Sequence, residues 1–73
     1  MKAILSVAKN DGTFLEVGMV INGGVGRWVE SGSANRIRRA AARARKSYGR
    51  PVRVEWFMDD SFYKDPFRVE VIQ

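Results

Sequence analysis

The sequence predicts one α+β domain: an antiparallel sheet with a single basic helix packed on one face, in the order β-β-β-α-β-β. Three observations carry this. Residues 31–51, SGSANRIRRAAARARKSYGRP, have the periodicity and both end signals of a helix. The flanking segments alternate apolar and polar residues and are divided by Asp-Gly and Gly-Gly turn signals. At 73 residues the chain suffices for one core and no second domain, so residues 1–73 are expected to form a single unit.

Residues 3–8 read as a first strand, with Leu5 and Val7 alternating against Ile4 and Ser6. Asp11-Gly12 then closes a hairpin turn, since both residues tolerate positive φ. A second strand over 13–21 sets Leu15, Val17, Met19 and Ile21 on one face, with Phe14, Glu16 and Val20 on the other. After Asn22-Gly23-Gly24, residues 25–30 form a short third strand. Its pattern allows either face, and Val25 and Val29 are expected to turn inward rather than Trp28.

In the helix, Ser31 or Ser33 supplies the N-cap, because a hydroxyl can accept from an orphan N–H of the first turn. Gly49 suits the left-handed position after the last turn, and Pro51 stops continuation. At 100° per residue, Ala34, Ile37, Ala40, Ala41, Ala44 and Tyr48 share one apolar arc. A stripe of alanines lets the helix lie close to the sheet. Arg36, Arg39, Arg43 and Lys46 cover the opposite side, while Arg38 and Arg45 flank the arc, where their stems can run along it.

Residues 52–58 form a fourth strand with Val52, Val54, Trp56 and Met58 inward and Arg53, Glu55 and Phe57 outward. A loop over 59–66 leads to a fifth strand, in which Phe67, Val69 and Val71 alternate with Arg68, Glu70 and Ile72. One hairpin register sets Arg53 against Glu70 and Glu55 against Arg68. It also brings Val54 to Val69 and Trp56 to Phe67, so charge and apolar pairing agree.

The net charge of +5 is unevenly spread. Seven basic residues and no acid lie between Arg36 and Arg50, whereas the remainder carries six basic residues against eight acids. Such a concentrated field steers an anionic partner. Arg36, Arg39, Arg43, Lys46 and Arg50 are the candidate contacts, on nucleic-acid phosphates or on an acidic protein surface, against the plain alternative of a solvated face. Seven phosphate contacts at about 0.9 each would give a salt slope near −6. Asp59, Asp60, Phe62 and Tyr63 make a second candidate interface of opposite sign with two aromatics. Phe14, Trp28, Phe57 and Ile72 are expected on the sheet face away from the helix, together with Glu16, Glu30, Glu55 and Glu70, whose charge disfavours a phosphate backbone there.

Other chemistries fit poorly. With no Cys and no His there is no disulfide, no thiolate or imidazole metal site and no Ser-His or Cys-His pair, so no enzyme activity is expected. Asn22-Gly23-Gly24-Val25-Gly26 lacks the Lys and Ser/Thr of a P-loop and is followed by a strand. Asp59, Asp60 and Asp65 do not have calcium-loop spacing, so neither metal nor cofactor is expected. No run approaches the ~20 apolar residues of a membrane span, and residues 1–10 lack the form of a signal peptide. The alanine stripe is too thin to insert into lipid. A monomer in the cytoplasm, with no membrane partner, is the expectation.

As a whole, a 73-residue α+β unit without Cys, His or a catalytic motif resembles the small phage-encoded regulators that bind bacterial RNA polymerase. The resemblance implies docking on the N-terminal part of the host polymerase β′ subunit inside the bacterial cell. It further implies inhibition of transcription initiation and antitermination. It assigns no residue roles, because no family motif maps onto this chain.

Overall fold

Backbone hydrogen bonding in the computed structural model organises residues 1–16, 26–58 and 65–73, the residues the structure describes, into four strands and a helix. These are β1 (Lys2–Val7), β2 (Arg27–Ser31), α1 (Ala34–Tyr48), β3 (Val52–Phe57) and β4 (Arg68–Ile72). The sheet order is β2-β1-β3-β4 with every neighbouring pair antiparallel. Both β2 and β3 run against β1, so they are parallel to each other. A parallel pair needs a crossover, and α1 supplies it across one face of the sheet. The α+β architecture with one packed helix is thus the one the sequence predicts.

The expected strand over residues 13–21 lies mostly outside the described residues. Its first part, residues 13–16, leaves the sheet. The expected turn before it is present. The N–H of Gly12 donates to the Lys9 carbonyl at 2.9 Å, with Gly12 at φ 84°. Asp11 Oδ1 accepts from the Thr13 N–H at 3.0 Å and from its hydroxyl at 2.6 Å.

Both helix ends follow the sequence signals. Ser33, not Ser31, is the N-cap, its hydroxyl accepting from the Arg36 N–H at 3.2 Å. Gly49 adopts φ 67° and donates to the Arg45 carbonyl. The two-residue link from β2 uses Gly32 at φ 133°, where a Cβ would stand 2.9 Å from Cδ of Arg36.

The core lies between helix and sheet: Ala3, Leu5 and Val7 from β1, Val52, Val54 and Trp56 from β3, and Ile37, Ala41 and Ala44 from α1. Ala34, Ala40, Tyr48, Trp28 and Ile72 close its rim. The sheet positions of Trp28 and Ile72 correct the expectation that placed them on the opposite face. Trp28 pairs with the inward-facing Leu5, and directly opposed residues share a face. Val29 therefore points outward and is 44% exposed, contrary to the inward position expected for it. Met58, expected inward, lies past the end of β3 and is exposed.

The β3–β4 register differs from the expected one by a single residue. Arg53 pairs with Val71, Val54 with Glu70, Glu55 with Val69 and Trp56 with Arg68. The Phe67 N–H nevertheless donates to the Trp56 carbonyl at 2.9 Å, so Phe67 and Arg68 both stand opposite Trp56. Two residues facing one is the signature of a β-bulge. This slip turns Glu70 and Ile72 towards the helix and leaves Val69 and Val71 outside, since a one-residue shift exchanges the faces of a strand.

Candidate anion-docking surface

The outer side of α1 is held by what lies beneath it. The alanine stripe and Ile37 seat the helix, and the remaining positions project into solvent. Arg36, Arg39, Arg43 and Lys46 are all exposed, at spacings of three, four and three residues along one side. Ten residues at 1.5 Å rise spread them over about 15 Å. Among the described residues none of the four takes part in an ion pair. The first turn contains no acid, and Arg45 and Lys46 occupy the last turn, where the helix dipole favours cations.

Two of the other three basic residues between Arg36 and Arg50 are committed elsewhere. Arg50, expected among the anion contacts, donates from Nη1 to Asn10 Oδ1 at 2.9 Å and ties the end of the helix to the first turn. Arg38 leans over the Trp56 ring, 5.0 Å from its centroid, and donates to Glu70 Oε1 at 3.3 Å. That oxygen also receives Trp56 Nε1 at 3.0 Å and lies 3.0 Å from Arg68 Nε. Beside this cluster a small cleft of about 120 Å³ is lined by Met1, Ala34, Arg38, Trp56, Phe67 and Arg68. Arg45 is half-buried with its Nε unpartnered.

On the opposite face of the sheet a second charged cluster is nearly enclosed. Glu55 Oε1 lies 3.5 Å from Arg27 and 3.4 Å from Arg53, each side chain about one-seventh exposed. Arg53 also donates to both Glu16 oxygens, at 3.0 and 3.3 Å, and packs over Phe14 at 4.9 Å. The Arg53 hydrogen bond, then its charge, holds the Glu16 carboxyl below the ordinary value of 4.5. Ser6, opposite Arg27 on one side and Arg53 on the other, is fully buried with its hydroxyl unpartnered. Trp28 Nε1 donates to Glu30 at 3.0 Å.

Every glutamate is therefore occupied within the molecule, and they do not form the acidic sheet face expected from the sequence. Glu16 and Glu55 lie on the face away from the helix, whereas Glu30 and Glu70 lie on the helix side. The sequence pairings Arg53–Glu70 and Glu55–Arg68 are replaced by Arg53–Glu16, Arg53–Glu55, Arg38–Glu70 and Arg68–Glu70. Neither Arg38 nor the Arg27–Glu55–Arg53 group stood out in the sequence. An arginine flanking the apolar arc of the helix and an inward tryptophan needing an acceptor were the signals for the first. The candidate interface residues Asp59, Asp60, Phe62 and Tyr63 lie outside the described residues. Among the described residues no group of acidic side chains is placed to hold a metal ion, and no helix is long and apolar enough to cross a membrane. Comparison with known proteins finds no matching family model, no matching curated protein and no matching solved structure.

Proposed function

We propose that this protein is a docking regulator that binds bacterial RNA polymerase, inhibiting initiation and favouring antitermination. The whole-chain resemblance suggests the partner. The observation that carries docking on a protein is the coexistence on one small domain of two surfaces that are unpartnered among the described residues. One is the cationic stripe Arg36, Arg39, Arg43 and Lys46. The other is the pair of outward valines of β4, Val69 and Val71, which are 53% and 44% exposed. A nucleic-acid backbone has a use for the first and none for the second. The two lie on opposite sides of the domain, so a protein partner that clasps it can meet both, with apolar anchors supplying affinity and charge supplying orientation.

One observation favours a second reading, direct binding to nucleic-acid phosphates. All four glutamates are engaged internally, so the repulsion expected from an acidic sheet face is much reduced. With Arg38 and Arg50 committed and Arg45 half-buried, four contacts remain on the helix. They give a salt slope near −4 at roughly 0.9 per phosphate, less steep than a count of all seven charges suggests.

Binding to purified bacterial RNA polymerase and to generic duplex DNA, each at about 150 mM salt, separates the two. The polymerase reading expects a stable complex with the enzyme, weak DNA binding and reduced promoter-dependent transcription. Tight, salt-dependent DNA binding without polymerase association would sink it in favour of the second. Replacing Arg36, Arg39, Arg43 and Lys46 together by Gln should weaken whichever complex forms. An unchanged affinity removes the helix face from both readings.

A further inference from the structure

Among the described residues β4 is the last strand of the sheet, and no backbone group of Arg68–Ile72 bonds beyond β3. Its free side can be identified from the ladders. The Val7 N–H points to β2, donating to Gly26, whereas the Ala8 N–H points to β3, donating to Pro51. Alternation then turns Ser6 and Arg53 towards each other and leaves Val54 and Trp56 facing β4, as the Phe67 N–H to Trp56 bond shows. Glu70, opposite Val54, faces β3. The N–H and C=O groups of Val69 and Val71 therefore point out of the sheet, ready for another strand.

We infer that the partner of this edge is a second copy of the same chain, joined through an antiparallel β4–β4′ pair centred on Val69. The argument is self-complementarity. An axis at Val69 sets Arg68 opposite Glu70 of the other copy twice over, and Val69 opposite itself. Both backbone groups of Val69 already point outward, so this central pair is hydrogen-bonded. Moving the axis to Glu70 would keep the valines paired but oppose two glutamates, and like charges directly opposite are unfavourable. Arg68 and Glu70 already associate within one copy at 3.0 Å, with Arg68 61% exposed, so the pair can exchange across the axis without moving a buried group. The two outward valines become a strip of four on the face away from the helices. β2, the other edge, contributes one outward valine and no opposite-charge pair to a self-match, because its Glu30 faces Trp28. An axis perpendicular to the sheet keeps both helices on one face, so the two cationic stripes lie on the same side. This replaces the monomer expected from the sequence, and it stands whether polymerase or nucleic acid is bound.

Sedimentation equilibrium of the full chain from micromolar to millimolar concentration tests it. The expected result is reversible dimerisation. Val69→Lys and Val69→Glu should each weaken it by roughly fivefold or more while leaving the far-UV spectrum unchanged, because each puts like charges face to face. An equimolar mixture of the two variants should associate again, since residue 69 then meets its opposite. A chain that stays monomeric throughout, or a Val69→Lys variant that dimerises like the parent, overturns the inference. A mixture that fails to re-associate overturns the register centred on Val69. Hydrogen exchange of the unmodified protein gives a check without variants: the Val69 and Val71 amides should slow with rising concentration, while the Val29 amide on the other edge should not. Uniform behaviour at both edges counts against it.

Discussion

At the scale of single residues, Glu70 Oε1 does more than any other described atom to join helix, sheet and edge strand. It accepts from the indole of Trp56, from Arg38 on α1, and pairs with Arg68 on its own strand. Trp56 is 2% exposed, so its Nε1–H has little recourse to water. Removing the acceptor leaves a buried donor unsatisfied, which costs about 1–3 kcal/mol. Glu70→Ala should lower stability by that amount in denaturant titration. Glu70→Gln should cost less, because its amide oxygen still accepts from Trp56. Equal losses for the two would assign the effect to the arginine pairs instead. Gly32 is fixed by a different logic, combining a backbone angle that L side chains rarely adopt with an Arg36 stem lying where a Cβ would go.

At the scale of elements, α1 is almost self-explanatory. Its cap, its left-handed terminus and its stripe of small apolar residues are all local in the sequence. Ser33→Ala should cost about 1 kcal/mol, the typical value of a lost N-cap, read from the shift in urea midpoint. Ser31→Ala should be close to neutral, because Ser31 ends β2 and its side chain caps nothing. The reverse ranking would show that the helix begins two residues earlier. The strands were less legible. β1 and β3 were readable because each has three consecutive inward positions filled by apolar residues. In β2 both faces mix apolar and polar or charged residues, so alternation alone does not say which turns inward, and in β4 the wholly apolar face, Val69 and Val71, is the one that points outward. On β4 the expected register satisfied charge and apolar pairing equally well. The bulge at Phe67 and Arg68 set it aside by one residue and delivered Glu70 to Trp56.

At the scale of the whole molecule, charge is divided between an inside that is balanced and a helix face that is not. The balance depends on carboxylates remaining ionised. Glu16 is held below its ordinary value by Arg53, and Asp11 below 3.8 by the Thr13 hydroxyl and then the Thr13 N–H. A carboxyl with a depressed folded pKa adds stability that is complete above its unfolded value and fades as pH falls through the folded one. Glu16→Gln should therefore lower Tm near neutral pH, and the gap to the parent should close as the pH drops below 4.5. A gap that persists into strong acid would mean that Glu16 acts through packing rather than charge. The site followed the same division. The four cations of the helix stripe were legible, since helical spacing alone puts them on one side. The engagement of Arg38 and Arg50 was not, because Glu70 and Asn10, 32 and 40 residues away, become neighbours only in the folded chain.

The sequence by itself determined the helix, its C-terminal end and the four cations of its outer side, together with the alternation of β1 and the inward face of β3. A helix closes its hydrogen bonds within its own length, and in the two central strands the apolar alternation coincides with the core face. Only the tertiary structure decided the faces of β2 and β4, and with them which glutamates are consumed inside and which valines remain outside. An edge strand has no orientation until a neighbour sets its register, and one extra residue in a bulge reverses it.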